Sequence, residues 1–266
     1  DEDFIGNNFS NKDFRFTDFR NSNLTDVDFQ YANLVNSNFY NAKLSNVNFS
    51  DANLDSAVFQ NAKLENVNFD EASLISSDFQ KTNLINVSFI NSNLVKSSFE
   101  KVRSNNLQLM HANLERANLE SSNLEFVNLE NTNLFFTKFD NSVLKNSKFN
   151  DAKLWKTKLN NVDLENSSFI DTDNYYSQFK KSNLKNVDFQ SSRLSHVDFT
   201  NSNLANANLL DVYPVNTIFD NTNLDGAEIN TCLQHDIISR IINKILRSTA
   251  ELNLEVFEKL LIGICN

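Results

Sequence analysis

Three histidines, two cysteines and a large stock of Asp and Ser are the side chains here that could act as nucleophiles, move protons or hold a metal, in a chain of 266 residues. Nucleophilic catalysis needs a Ser or Cys beside a base that a third group orients, and a metal site needs its ligands at characteristic spacing. His111, His196 and His235 have no Cys, Ser or carboxylate at a diagnostic offset. Cys232 and Cys265 give neither a disulfide framework nor a metal spacing, and no Walker, dinucleotide or zinc signature occurs. No catalytic, cofactor-binding or metal-binding residue is therefore expected within this chain, although a catalytic domain outside it stays open. The spacing that does recur belongs to aromatic and acidic side chains, whose chemistry is recognition.

What must position them is a repeat. Leu, Phe or Ile occupies 43 of the 46 positions in the five-residue series from Phe4 to Ile229, with Ser104, Asn174 and Pro214 as exceptions. Neither a helix nor an ordinary strand has that period. Two positions earlier sits a small residue, as in Ala32, Ala42, Val47, Ala52 and Ala57, so two positions of five point inward and three outward. A second period, of twenty, is carried by Asn46, Asn66, Asn86, Asn106, Asn146, Asn166, Asn186 and Asn206, whereas the positions ten residues out of step read Asn36, Ser56, Ser76, Lys96, Arg116 and Phe136. Four units thus complete one coil, with Asn stacked over Asn.

The unit Ala52-Asn53-Leu54-Asp55-Ser56 resembles the motif A(D/N)LXX of the pentapeptide-repeat family, and the resemblance covers about residues 4 to 230. It implies an all-β solenoid, a right-handed four-sided β-helix in which each pentapeptide forms one side. The expected domains are a β-helix over residues 1–230 and a helical tail over 231–266, where Leu233, Ile237, Ile238, Ile241 and Ile242 lie on one helical face. That tail is a cap, a homodimer contact or the start of a further domain. Asp1 in place of Met leads us to expect a fragment of a longer protein or a processed chain. Distortion is expected around Ser104 to Leu109, and a local bulge where Asn174 and Pro214 break the pattern.

Sorting residues by the twenty-residue period distributes charge unevenly. The wall centred on Phe9, Phe29 and Phe49 carries Asp28, Asp51, Asp70, Glu71, Glu130, Asp151, Asp171, Asp188, Asp211 and Glu228 against Lys148, in a chain of net charge -10. This acidic stripe is a solubilising face or a surface that repels nucleic acid and attracts basic proteins, so direct nucleic-acid binding is not expected. The wall centred on Leu34, Leu54 and Leu74 carries Phe135, Phe136, Trp155, Tyr175 and Tyr176 at outward positions of three successive coils, beside Arg116, Lys153 and Lys156. Trp, Tyr and Arg dominate binding hot spots, and we expect this patch either to bind a protein partner or to pack beneath the tail or a loop.

The family resemblance adds alternatives. Some bacterial members are acidic rods resembling duplex DNA that bind DNA gyrase, which implies gyrase or topoisomerase as another partner; this chain lacks their projecting loops and hinge glycine. A solenoid followed by a helical segment is also similar to the β-helix region of bacterial HECT-like ubiquitin-ligase effectors, which implies a targeting module of a larger bacterial protein, with no thioester role assigned to Cys265. The sequence does not fix a compartment; the resemblance implies a soluble protein of the bacterial cytoplasm or, for an effector, of the host cell. No apolar run is long enough for a membrane span.

Overall fold

A residue with positive φ recurs every five positions, as at Asn11, Phe16, Asn21, Asp26 and Tyr31, and bends the chain through a corner. Asn and Asp tolerate that left-handed conformation because a short polar side chain can bond locally. At most corners the residue after it donates back three positions, as Ala32 N–H does to the Phe29 carbonyl at 2.9 Å. Four corners close one circuit, and the computed structural model, which describes residues 2–230, is an all-β solenoid of about 11 turns.

Every pairing is parallel with an offset of twenty. Strands β1 (Asp3–Ile5), β2 (Asn23–Thr25), β3 (Lys43–Ser45), β4 (Lys63–Glu65), β5 (Asn83–Ser88) and β6 (Arg103–Gln108) form one sheet in that order. Their register sets Leu24 beside Leu44, and Leu44 beside Leu64. A second sheet pairs β7 (Asn208–Leu209) with β8 (Glu228–Ile229). Elsewhere single bridges continue the stack, such as Asn33 with Asn53 and Asn48 with Asn68.

The inward positions fill the interior. Phe39 and Phe59 stack at 4.8 Å, Phe49 and Phe69 at 4.9 Å, and Phe59 meets Phe69 edge-on across the coil at 5.6 Å. All of these rings are fully buried, and burying each is worth roughly 1.5–3 kcal/mol. One coil cannot form alone, because fixing each residue's backbone costs about 1–2 kcal/mol; stability comes from stacking coil on coil.

Two expected irregularities leave the backbone unbroken. Ser104 stays in register with Leu84, its N–H reaches the Asn123 carbonyl at 3.0 Å, and Leu107 turns inward to fill the space beside it. Asn174 likewise donates to the Arg193 carbonyl at 3.0 Å and is buried. Backbone bonds between coils, indifferent to the side chain in the slot, hold the register through both. The expected helical tail lies outside the described residues.

Candidate functional site

The Leu34 wall presents its aromatics as one continuous cluster. Each coil contributes a residue after the inward Leu and a second at the corner, so side chains twenty apart are vertical neighbours. Phe135 meets Trp155 edge-on at 5.5 Å, Trp155 meets Tyr175 at 6.0 Å, and Tyr175 meets Tyr176 at 4.4 Å. The corner positions add an alternating column of cations and rings. The Arg116 guanidinium lies 5.3 Å from the Phe136 ring, and the Lys156 ammonium lies 5.6, 5.8 and 6.0 Å from the rings of Phe136, Trp155 and Tyr176. Such cation–π contacts contribute about 0.5–1 kcal/mol at exposed sites. The seven expected patch residues are thus brought together.

His196 was not part of the expected patch and belongs to it. Its ring stacks on Tyr176 at 4.4 Å and meets Tyr175 edge-on at 5.4 Å. The signal was available, since His196 is twenty residues beyond Tyr176 and therefore in its column. A hydrogen bond with Tyr176, helped by burial, holds the Tyr175 phenol above its ordinary pKa.

Two adjoining grooves flank the rings. One, of about 300 Å³, is lined by Phe135, Trp155, Tyr175, Asp173, Arg193 and Ser195. The other, of about 340 Å³, shares Asp173 and Arg193 and extends past Lys153 to Tyr213. Arg193 and Asp173 approach to 3.9 Å between them. Behind the rings, buried Asn174 donates to the Thr172 hydroxyl at 2.7 Å while its Oδ1 has no partner.

Phe136 and Tyr176 sit at corners with φ of 59° and 60°. That conformation costs an L-residue other than Asn, Asp or Gly roughly 1–2 kcal/mol. Asn in such corners offsets the cost by laddering: Asn66 Nδ2 donates to Asn46 Oδ1 at 3.0 Å, and Asn86 Nδ2 to Asn66 Oδ1 at 3.1 Å. The patch corners forgo that arrangement.

The acidic stripe on the Phe9 wall divides in two. Asp70 accepts from Ser88 at 2.5 Å and from the Ile90 N–H at 2.8 Å, and Asp28 accepts from the Gln30 N–H at 3.0 Å. Asp188 does the same for Gln190 at 2.9 Å, Asp51 accepts from Gln30 Nε2 at 3.5 Å, and Glu130 accepts from Asn150 at 3.3 Å. These five serve the coil, while Glu71, Asp151, Asp171, Asp211 and Glu228 are exposed. None of the ten forms an ion pair among the described residues. Nor do any three His, Cys, Asp or Glu side chains gather there in a way that could hold a metal ion, and no helix among those residues is long and apolar enough to cross a membrane.

Coils of four five-residue units, corners in the left-handed region and a twenty-residue register define a pentapeptide solenoid. The chain belongs to the pentapeptide-repeat family: a family model described as a pentapeptide repeat region matches residues 52–129 and 142–229, and one described as pentapeptide repeats in eight copies matches 3–30, 32–70 and 112–151. Among solved structures it is similar to HetL, a pentapeptide repeat protein involved in heterocyst differentiation regulation from the cyanobacterium Nostoc sp. strain PCC 7120, at 19% identity over 85% of this chain and 88% of that one, with a TM-score of 0.32. Full-length QnrB1, a plasmid-mediated fluoroquinolone resistance protein, is 16% identical over 75% of this chain and 96% of its own, with a TM-score of 0.44. Rfr23 from the cyanobacterium Cyanothece 51142 is 23% identical over 42% of this chain and 87% of its own, with a TM-score of 0.34. No curated protein matches.

Proposed function

We propose that this protein is a noncatalytic scaffold whose Leu34 wall docks a protein partner through Phe135, Phe136, Trp155, Tyr175, Tyr176, Arg116 and Lys156. The observation that carries this reading is one contiguous cluster of five aromatic rings, with Phe136, Trp155 and Tyr176 exposed and Phe135 and Tyr175 half-buried, flanked by two cations. Burial of such rings drives association, and a stiff sheet loses little entropy on binding. The corner conformations of Phe136 and Tyr176 support it, because Asn there would suit the fold better. The test is capture of partners by wild type and by the Trp155→Ala, Tyr176→Ala double variant. The wild type is expected to retain at least one protein that the variant loses; identical captured sets would remove the patch from consideration.

A second reading uses the acidic stripe. An acidic rod could bind gyrase or topoisomerase in place of duplex DNA, and the five exposed, unpaired carboxylates along the Phe9 wall favour it. A supercoiling assay decides this, since a gyrase unaffected by the protein, with or without a quinolone, eliminates the reading.

A further inference from the structure

We propose that the aromatic patch takes an acidic peptide segment bearing a large apolar side chain; this rests on the reading of the patch as a protein-docking surface and specifies the chemistry of its partner.

The first argument is charge. Residues 134–161 hold six lysines, Lys138, Lys145, Lys148, Lys153, Lys156 and Lys158, against two acids, Asp140 and Asp151, in a chain whose net charge is -10. Lys145 is held by Asp163 at 3.0 Å and Glu165 at 3.3 Å. Among the described residues the other five form no ion pair. A cationic belt therefore crosses an otherwise acidic rod at the height of the rings.

The second argument is frustration within the belt. Lys138 and Lys158 are direct bridge partners in successive coils, just around the corner from Phe136 and Lys156, and both are exposed. Like charges directly opposite one another on a sheet oppose its formation. Among the described residues no carboxylate forms an ion pair with either lysine, so a bound anionic group would relieve them.

The third argument is shape. The groove between Phe135, Trp155 and Tyr175, at about 300 Å³, has aromatic walls and is bounded by Ser195 and by Asp173, which faces Arg193 at 3.9 Å. It is sized for one Leu- or Phe-like anchor, with carboxylates on either side reaching Arg116, Lys153, Lys156 and the Lys138–Lys158 pair. A desolvated anchor ringed by complementary charge is the usual composition of a specific contact.

Single-stranded nucleic acid shares the preference for cations and rings, but the surroundings disfavour it. Glu115, Glu120, Glu125 and Glu130 lie in the preceding coils, and Asp163, Glu165, Asp171 and Asp173 in those that follow. The belt's lysines, from Lys138 to Lys158, span one coil spacing, roughly 5 Å, whereas such strands occupy sites of roughly 4–16 nucleotides. Successive bases also stack on parallel faces, and the Phe135 and Trp155 rings stand at 84° to one another.

Trp155 is the chain's sole tryptophan and 37% exposed, so its fluorescence reports on the site. The full chain is titrated with a short peptide of alternating acids and small residues around one Phe, and with four controls: the same peptide with Asn and Gln for the acids, with Ser for the Phe, with Lys for the acids, and oligo-dT. We expect saturable binding of the acidic Phe peptide that weakens with added salt, and affinities at least about tenfold lower for the neutral and Ser peptides. The Lys138→Gln, Lys156→Gln, Lys158→Gln variant should lose a similar factor, with circular dichroism confirming its fold. Equal binding of the neutral or basic peptide would overturn the acidic assignment while leaving the docking surface standing. Binding of oligo-dT without the peptide would overturn it in favour of nucleic acid. No Trp155 response to any peptide would overturn it too, and the partner-capture comparison then separately decides whether the patch docks proteins at all.

Discussion

The N-terminal and C-terminal halves of the rod share one backbone and mostly the same corner bond, but the C-terminal half adds hydroxyls that take its place at some corners. Through about Phe99 the interior consists of stacked Phe columns, and the second inward position is mainly Ala or Val, as at Ala32, Val47, Ala52, Ala57, Ala62 and Val67. At most corners of both halves the N–H donates directly to the carbonyl three residues back, as in Ala57 to Leu54 at 2.9 Å and Thr157 to Leu154 at 3.0 Å. Further along, Leu109, Leu119 and Leu129 interrupt the Phe columns, and Ser or Thr takes most of the second positions. Their hydroxyls insert into the corner of the preceding coil. Ser142 Oγ accepts from Ser122 N–H at 3.1 Å and donates to the Leu119 carbonyl at 2.7 Å, so it stands where the direct corner bond would be. Ser182 repeats this with Val162 N–H at 3.0 Å and the Leu159 carbonyl at 2.6 Å. One half is held chiefly by aromatic packing, and the other ties each coil to the next with buried hydroxyls. The aromatic patch proposed to bind a partner sits on the half that carries these hydroxyls.

The largest expected effect tests the aromatic half. Phe69 is fully buried, stacks on Phe49 and on Phe89 at 4.7 Å, and meets Phe59 and Phe79 edge-on. Phe69→Ala should cost about 3–5 kcal/mol in denaturant unfolding. Part of that, about 0.5–1.5 kcal/mol per aromatic pair, belongs to ring geometry rather than area. Phe69→Leu should therefore cost more than the volume change alone requires; a cost of under about 1 kcal/mol would mean that the columns contribute no more than an aliphatic core.

One substitution should change sign between the halves. Ser142→Ala removes the only hydrogen-bond partner found for the Ser122 N–H and a bond to Leu119, and should destabilise by about 1–3 kcal/mol. Ser77 is equally buried, but its hydroxyl has no partner. Ser77→Ala should therefore stabilise by about 1 kcal/mol, since it removes a desolvated hydroxyl and leaves the Leu74 corner bond at 3.1 Å untouched. Equal signs in thermal unfolding would erase the distinction between the two kinds of corner.

The five- and twenty-residue periods made the walls, the core columns and the Asn ladder legible in the sequence, because each depends only on which residues recur at a fixed offset. The cluster of Phe135, Trp155 and Tyr175 followed from the same arithmetic. The two kinds of corner did not, since Ala57 and Ser142 both satisfy a requirement for something small, and only the coil register shows that a serine hydroxyl reaches the carbonyl 23 residues earlier. The proposed role of the Lys138–Lys158 pair came only with the fold: the twenty-residue offset sets the two lysines opposite each other, but they lie on the next wall and are related to Lys156 only once the corner is drawn. Distortion at Ser104 and Asn174 was expected because the side-chain pattern broke, but the register is carried by backbone bonds that the pattern does not reveal.

A smaller effect concerns the corner column where the halves meet. Asn106 Nδ2 donates to Asn86 Oδ1 at 3.2 Å, and the ladder resumes where Asn166 donates to Asn146 at 3.4 Å, but Phe126 stands between them with φ of 61° and 63% of its surface exposed. Phe126→Asn should relieve the corner and allow the ladder to run on, raising stability by about 1 kcal/mol. No gain in the unfolding midpoint would mean that the Asn ladder contributes little on this exposed edge.

The smallest effect is a dependence on pH that should differ between the two ends. Arg20 donates from its side chain and its backbone to Asp18, which lowers that carboxyl from 3.8 to about 2. Asp198, toward the other end, is pushed up by partial burial, yet the bonds from Lys180 and Thr200 together outweigh this and leave it lowered. A carboxylate with a depressed folded-state pKa stabilises the fold above its unfolded value, and that contribution is lost as pH falls through the folded one. For Asp18 the loss runs from about pH 4 down to about 2. Its pair with Arg20 is exposed, so the loss should be small and should fade in salt. Asp198 is bonded more closely into the wall, with Lys180 at 2.9 Å and a side-chain exposure of 17%, so its contribution should persist in salt. Thermal melts between those pH values, with Asp18→Asn and Asp198→Asn compared at low and high salt, separate the two ends. A salt response of the same size in both variants would show that the partly buried carboxylate gains nothing from its setting.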